Sequence, residues 1–152
     1  MPAITESLRV HHGVCDELFA LAENAAVTQD WELCRSLTDS FLQQLEAHFS
    51  AEETLLFPRF EAVLGNTSGP TAVMRAEHGQ MRELAGDISQ AAVRSDGDAY
   101  LGCIETMLVL MQQHNMKEEH ILYPMCERAL AGPYPELGDL IGRTLTEAPH
   151  GN

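Results

Sequence analysis

The chain repeats two of its motifs after an interval of 66 residues. The paired motifs are Arg9-x-x-His12 with Arg75-x-x-His78, and His48-x-x-x-Glu52 with His114-x-x-x-Glu118. In each half, 36 residues separate the first histidine from the second. Because two separate motifs share one interval, we interpret the chain as two halves of the same design, related by a pseudo-twofold axis.

Apolar residues recur at helical spacing along the chain, whereas signals for strands are almost absent. In the first segment, the apolar residues on one side are Leu8, Cys15, Phe19, Ala22 and Ala26. In the last long segment, they are Ile104, Met107, Met111, Ile121 and Met125. These faces predict helices that bury one side in a common core.

Turn and cap signals divide the chain into segments. Asp30 is suited to cap a helix that begins at Trp31, and Pro70 is suited to the first turn of another helix. Further breaks lie at residues 95–98 and 132–133. These signals predict helices over roughly 5–27, 30–64, 70–94 and 98–131, and a short fifth helix after Pro135.

Four long helices joined by short loops predict an all-α fold, an up-down-up-down four-helix bundle. A chain of 152 residues is ordinary for one domain. We therefore assign residues 1–152 to a single domain, with a metal-binding bundle over about 5–131 and a C-terminal extension over 132–152.

The repeated His-x-x-x-Glu motif places its two side chains on one face, because four residues advance a helix by about one turn. Two such hairpins would surround one central volume with six polar residues, which are His12, His48, Glu52, His78, His114 and Glu118. A single histidine on an apolar face is usually a hydrogen-bonded core residue. Two buried glutamates, however, are costly without a cation. The pattern therefore predicts a two-metal site, with imidazoles as terminal ligands and carboxylates able to bridge.

Other polar residues flank these six positions. His11 and Glu77 are matched by the repeat, and we expect them to share a supporting or rim role beside the ligands. Glu53 and Glu119 are expected to turn towards the helix flanks, with support of the ligands as the alternative. Cys15 is expected to be an inert buried thiol, with a thiolate ligand as the alternative; Asp16 is a candidate for an extra ligand or for a pair with Arg82.

The repeat also matches Leu56-Phe57-Pro58 with Leu122-Tyr123-Pro124, and each proline is expected to bend or end its helix. We expect Tyr123 to pack in the core, with a redox-active tyrosine beside the metals as the alternative. His120 and His150 have no matching histidine in the repeat, and we expect both at the surface.

The net charge of −14, from 23 acidic and 9 basic residues, argues against nucleic acid and anionic membranes as partners. The N-terminal sequence lacks a secretory signal pattern, and the apolar runs are shorter than the about 18 residues of a membrane helix. The four cysteines form no Cys-x-x-Cys pair, which disfavours a zinc knuckle. We therefore expect a cytoplasmic protein.

The six candidate ligands resemble the pattern of hemerythrin-like (HHE cation-binding) domains, and the resemblance runs from about Leu8 to Leu130. It implies a four-helix bundle with two non-haem iron ions that handle dioxygen or nitric oxide. By this resemblance Glu52 and Glu118 would bridge the irons. His12 and His48 would bind one iron, and His78 and His114 the other.

The sequence departs from oxygen-carrying hemerythrins, which place a fifth histidine ligand one turn from the one on the third helix. Here Met74 and Arg82 stand one turn before and after His78. The missing ligand leaves more open coordination positions, which favours reactivity over reversible oxygen storage.

We expect a di-iron protein that binds or reacts with dioxygen or nitric oxide in sensing, scavenging or redox stress, with catalysis left open. A signalling role would require a separate protein partner. One alternative is a di-iron enzyme of the iron–sulfur cluster repair type or one that reduces peroxide or oxygen; the immediate start of the first helix disfavours the repair type, whose members usually carry an extra N-terminal domain. Another is non-redox metal storage or a structural metal bundle. Manganese and zinc suit the same ligands as iron.

Overall fold

The computed structural model describes residues 3–148, and within this range the chain is helical and contains no strand. The α-helices are α1 (Glu6–Val27), α2 (Trp31–Ala51), α3 (Phe57–Leu64), α4 (Pro70–Val93), α5 (Gly97–Lys117), α6 (Tyr123–Leu130) and α7 (Leu137–Thr146). One π-helical turn, Glu52–Leu56, joins α2 to α3, and another, Glu118–Leu122, joins α5 to α6. The chain thus forms four long helical arms and one short C-terminal helix, which confirms the all-α prediction.

The arms form a closed bundle in which α1 packs against α2 and α5, and α4 packs against α2 and α5. Short turns join α1 to α2 and α4 to α5, so each hairpin is antiparallel. The predicted four-helix bundle is therefore present. The assignment of residues 1–152 to one domain remains a prediction.

The two hairpin turns have the same geometry, as the repeat predicts. Gln29 and Ser95 adopt left-handed backbone conformations with φ of 62° and 55°. The next residue in each turn caps the following helix, because the Asp30 side chain accepts from Leu33 N–H and the Asp96 side chain from Ala99 N–H. The backbone N–H of each aspartate also bonds back to the preceding helix. These caps confirm the expected break before Trp31.

Each π-helical turn begins at one of the candidate ligand glutamates and ends immediately before an aromatic residue and a proline. Phe57 N–H donates to the Glu52 carbonyl, and Tyr123 N–H donates to the Glu118 carbonyl, five residues back in each case. A proline in a regular α-helix clashes with the carbonyl four residues earlier, and a wider turn relieves that clash. Of the two effects expected of the prolines, ending the helix is not observed, because α3 and α6 continue beyond them.

The π-helical turns also shift which residues face the core. Ile104, Met107 and Met111 are buried as predicted, but Ile121 is 56% exposed and Met125 is only partly buried. The extra residue in the turn rotates the following helix, so that Leu122 and Cys126 are buried in their place. The predicted core position of Ile121 is therefore wrong, whereas Met125 is partly buried and packs against an apolar cluster.

Helix α7 confirms the predicted fifth helix and packs against α1 and α2. Its apolar face is buried through Leu137, Ile141 and Leu145. A Cβ added at Gly142 would lie 2.8 Å from Ser7 Oγ, so α7 approaches α1 closely here, and a larger residue would require the Ser7 hydroxyl to rotate away. His150 lies outside the described residues.

The buried apolar residues form two clusters along the bundle. One contains Cys15, Phe19, Met81, Met107 and Met111, among others, and the second contains Leu8, Ala51, Leu56, Phe57 and Tyr123, among others. Positions 12, 78, 114 and 118 fall between these clusters along their helices, and positions 48 and 52 lie on either side of the change from one cluster, at Phe49, to the other, at Ala51. No helix within residues 3–148 is both long enough and apolar enough to span a membrane.

Candidate metal centre

The structure brings all six predicted ligand residues to one buried layer of the bundle. Glu52 and Glu118 are fully buried at 0% exposure, and the four histidines are also buried, which are His12, His48, His78 and His114. Helix α1, the end of α2, helix α4 and the end of α5 each supply one histidine, and the two π-helical turns supply the glutamates. The layer is therefore drawn from both halves of the repeat.

The first histidine of each half is held by a carboxylate from the opposite half. His12 Nδ1 lies 2.5 Å from Glu119 Oε2, and His78 Nδ1 lies 2.6 Å from Glu53 Oε2. These two contacts are equivalent under the repeat. The expectation that Glu53 and Glu119 turn to the helix flanks is thus replaced by its alternative, because both side chains support a candidate ligand.

The second histidine of each half contacts the residue that directly precedes the first histidine in the sequence. His114 Nδ1 lies 2.7 Å from Glu77 Oε1, and His48 Nδ1 lies 3.0 Å from His11 Nδ1. His11 Nε2 in turn lies 2.8 Å from Gln44 Oε1. These contacts give His11 and Glu77 the shared supporting role that the repeat predicts.

The outer contacts determine which nitrogen of each ring faces the centre. Gln44 Oε1 only accepts, so His11 Nε2 donates to it, and neutral His11 then accepts at Nδ1 from His48 Nδ1–H. A carboxylate at Nδ1 likewise favours the Nδ1–H tautomer of the other three histidines. The Nε2 lone pairs of all four rings are therefore available on the inner side, as in metal-binding histidines that donate outward to a carboxylate.

In the second half of the centre, four polar atoms converge without hydrogen bonds. They are Glu52 Oε1, His78 Nε2, His114 Nε2 and Glu118 Oε2, and none has a hydrogen-bond partner within residues 3–148. His78 Nε2 lies 3.0 Å from Glu52 Oε1, and these residues offer ligand atoms within 4.8 Å of one another. Buried polar atoms are costly when unsatisfied, and two imidazole nitrogens with two carboxylate oxygens suit a divalent cation. The residues present therefore fit a metal ion.

In the first half, a second group that can hold a metal consists of His12, His48 and Glu118. His12 Nε2 lies 3.0 Å from Glu118 Oε1, and His48 Nε2 lies 4.0 Å from the same oxygen. His48 Nε2 is also 3.5 Å from Glu52 Oε2. The histidines are grouped in the same pairs that the family resemblance implies.

Tyr123 places a hydroxyl group inside this first half. The hydroxyl donates to Glu52 Oε2 at 2.6 Å and lies 3.1 Å from Glu118 Oε1. It also lies 3.3 Å from His48 Nε2 and 3.4 Å from His12 Nε2. The hydroxyl therefore lies beside the candidate ligands, where the alternative prediction placed it, and a redox role for Tyr123 stays a prediction. The residue itself is fully buried, as expected.

The two central carboxyl groups oppose each other electrostatically. Burial and the Glu52 carboxylate raise the pKa of Glu118. Burial would also raise the pKa of Glu52, but contacts with His48, Glu118 and His78 hold that pKa well below its usual range. With protein groups alone, ionising both carboxyl groups is thus unfavourable, and a cation between them would permit it.

The pKa values of two of the histidines shift in opposite directions. Burial lowers the pKa of His48 to about 4, which keeps its ring neutral. For His114, burial works against protonation, but the neighbouring Glu118 outweighs it and raises the pKa to about 9. A metal at this ring would compete with the proton for Nε2.

Charged and aromatic side chains fix the supporting residues. Arg82 donates to Glu53 at 2.8 and 2.9 Å and to Glu46, so Arg82 pairs with these residues instead of Asp16. Asp16 is exposed. The ring of Phe49 stacks on His78 with a centroid separation of 4.0 Å.

Cys15 Sγ lies 3.9 Å from His11 Nδ1, and neither group of candidate metal ligands found within residues 3–148 includes this cysteine. Burial raises the pKa of Cys15 to about 12, so it stays a neutral thiol at physiological pH. His120 is exposed, as expected.

Comparison with known proteins shows which family the chain resembles. The model of the family described as the hemerythrin HHE cation binding domain matches residues 3–126. A curated relative named iron-sulfur cluster repair protein YtfE, from Yersinia pseudotuberculosis serotype IB (strain PB1/+), is 34% identical over 103 residues. A protein of the same name from Yersinia pestis (strain Pestoides F) is 33% identical over 103 residues.

Both matches cover 61% of this chain and 45% of the relative, so the chain spans less than half the length of these curated relatives. The search of solved structures gave no significant match.

Proposed function

The chain belongs to the family of hemerythrin HHE cation-binding domains, and on that basis we propose that it is a non-haem di-iron protein that binds or reacts with dioxygen or nitric oxide in redox stress. The observation that carries the proposal is the set of four converging buried atoms without hydrogen bonds among the described residues. Such a set is unfavourable in a purely structural core, and a bound cation satisfies it.

We assign His78 and His114 to one metal and His12 and His48 to the other, with Glu52 and Glu118 shared between them. Glu118 supports a shared role because it belongs to both groups of candidate ligand residues. Glu52 supports it because one carboxylate oxygen faces His78 and the other lies 3.5 Å from His48. Two irons held there would supply redox electrons and open coordination positions for a small ligand.

The protein's own residues would hold and insulate this centre. The outer contacts of the histidines restrain the rings, and the two carboxylates offset the charge of the cations. The apolar cluster that contains Met81, Met107 and Met111 would exclude water while admitting small uncharged gases. These properties suit dioxygen or nitric oxide better than a charged substrate.

A second candidate function is a part in the repair of iron–sulfur clusters, and the names of the curated relatives favour it. This chain would then correspond to less than half of such a protein and supply its metal-binding helical portion. The gas-reactive centre is common to both candidates, so the first test addresses that centre.

The test is anaerobic purification of the full chain, followed by metal analysis and visible absorption spectra before and after addition of air or nitric oxide. We expect two irons per chain and new visible bands with at least one of the gases. The variant His114→Ala should lose metal and the spectral response. The control variant His120→Ala, which changes an exposed histidine, should keep both.

Other results would redirect the assignment. A protein that binds two zinc ions and stays colourless after iron loading would support the non-redox alternative and exclude the gas-reactive one. Reversal of the spectral change on removing the gas would indicate binding, and a permanent change would indicate oxidation of the centre.

A further inference from the structure

We infer that the two metal positions are inequivalent, and that the position between His78 and His114 fills before the position between His12 and His48, where the Tyr123 hydroxyl competes with the metal. This inference rests on the proposed two-metal site. It concerns the order of metal binding, which the repeat alone would leave equal.

The position in the second half presents its ligand atoms already free of hydrogen bonds. Glu52 Oε1, His78 Nε2, His114 Nε2 and Glu118 Oε2 are all without hydrogen-bond partners within residues 3–148. A cation that binds there breaks no hydrogen bond to these atoms; it replaces the close His78–Glu52 and His114–Glu118 contacts of 3.0 and 3.2 Å and satisfies four buried polar atoms at once. The ring of Phe49 stacked on His78 further restrains one ligand.

The position in the first half presents carboxylate oxygens that are already engaged. Tyr123 O–H donates to Glu52 Oε2 at 2.6 Å, and its oxygen lies 3.1 Å from Glu118 Oε1. The same oxygen lies within 3.4 Å of the Nε2 atoms of both histidines. A cation at this position must therefore compete with the hydroxyl for the lone pairs of the carboxylate oxygens. It must also displace the hydroxyl from the middle of the ligand atoms.

Displacing the hydroxyl is unfavourable because its ring is held on several sides. Tyr123 is fully buried, its ring stacks on His12 at a centroid distance of 5.8 Å, and the Arg9 guanidinium lies 5.7 Å from the ring centroid. A buried hydroxyl that loses its hydrogen-bond acceptor is destabilised, because water cannot replace the lost acceptor. The competition is therefore between the second cation and a well-restrained donor.

The matched residue in the other half shows why the effect is one-sided. Phe57 occupies the place equivalent to Tyr123, is also fully buried, and has the Arg75 guanidinium 5.4 Å from its ring centroid. The surroundings are thus repeated, but the hydroxyl is not. The hydroxyl oxygen is therefore the difference that lies among the ligand atoms themselves, whereas the other difference in polar partners, His11 at His48 and Glu77 at His114, lies on the outer side of the rings.

The experiment is a titration of the metal-stripped chain with Co²⁺ under anaerobic conditions, followed by calorimetry and visible absorption. We expect two resolved binding steps whose affinities differ by at least about tenfold, the size expected for one buried hydrogen bond to a carboxylate. His12→Ala should keep the tighter step, and His78→Ala should remove it. Far-UV circular dichroism checks that each variant is folded.

Tyr123→Phe is the decisive variant, because it removes only the competing oxygen. We expect the weaker step to become about tenfold tighter, while the tighter step stays unchanged. The matched control is Tyr100→Phe, which removes a buried hydroxyl bonded to Thr38 in the other apolar cluster and should leave both steps unchanged.

Each outcome bears on the inference separately from the proposed function. Two indistinguishable steps, loss of the tighter step in His12→Ala, or an unchanged or weaker second step in Tyr123→Phe would each overturn the inference. Two unequal Co²⁺ steps in a protein whose iron form ignores both gases would retain the inference and overturn the function. A chain that binds no Co²⁺ would overturn both.

Discussion

The two halves of the metal centre differ less in their ligands than in what lies beside them. Around His78 and His114, the neighbours are the aromatic rings of Phe49 and Phe57. Around His12 and His48, the neighbours are the hydroxyl of Tyr123 and the imidazole of His11. The same repeated framework therefore creates one position bordered by apolar rings and another that contains an additional hydroxyl, and it gives His48 an imidazole partner where His114 has the Glu77 carboxylate.

This difference indicates which parts of the repeat the centre depends on. The ligand positions, the π-helical turns and the outer carboxylate contacts of His12 and His78 are equivalent in both halves. The residues at positions 57 and 123 differ, and they change the surroundings without changing the ligand set. Variants that remove shared features should affect both positions, and variants at differing residues should affect one.

The largest effect is expected from Glu118→Ala, because this glutamate belongs to both groups of candidate ligands. The variant should lose at least one metal and bind the remaining one more weakly, and its bundle should be less stable at the site layer than the metal-loaded protein. Metal analysis and thermal unfolding measure these effects. Glu105→Ala, at an exposed position on α5, is the control. Two metals retained at full affinity in Glu118→Ala would contradict the shared role.

An intermediate effect is expected from changing the outer carboxylates, because each of them contacts a histidine of only one metal position. Glu53→Gln should weaken the position that contains His78, and Glu119→Gln the position that contains His12, each by about 10- to 100-fold. Co²⁺ titration reads out the two steps. If either variant weakened both steps equally, the outer contacts would not be specific to one position.

A smaller effect is expected from Phe57→Tyr, which places in the second half the hydroxyl that the first half already has. The tighter binding step should weaken by about tenfold, so that the two steps approach one another. Phe57 is fully buried, so circular dichroism must first establish that the variant folds. A folded variant with an unchanged tighter step would argue that the hydroxyl at position 123 is not the source of the inequivalence.

The smallest effect is expected from the hairpin turns, where the two halves are alike. Asp30→Ala and Asp96→Ala each remove one helix cap and should lower the free energy of unfolding by about 1 kcal/mol, with no change in metal content. Denaturant unfolding provides the measurement. A large difference between the two variants would show that the turns are less equivalent than their hydrogen bonds indicate.

The sequence predicted the four long helices, the C-terminal helix and the six residues of the central layer, because the repeat combines helical spacing with polar residues on apolar faces. It also predicted a common role for His11 and Glu77, since the interval of 66 residues pairs them. The same interval pairs Glu53 with Glu119, so the signal for their contacts with His78 and His12 was present.

Other features were hidden from the sequence by local geometry. A regular helix places Glu53 about 100° from Glu52, which suggested the helix flank. The π-helical turns change the phase of the following residues, which explains why the predicted core position of Ile121 was wrong and why Met125 is only partly buried. The direction of the Tyr123 hydroxyl likewise depends on the packing of helices that are distant in the chain.

The most direct test of the central claim is a crystal structure of the iron-loaded chain with anomalous diffraction data collected at the iron absorption edge. We expect two anomalous peaks, one between His78 and His114 and the other between His12 and His48, each next to the carboxylates of Glu52 and Glu118. A single peak, or peaks away from this layer, would contradict a two-iron centre built from both halves of the repeat.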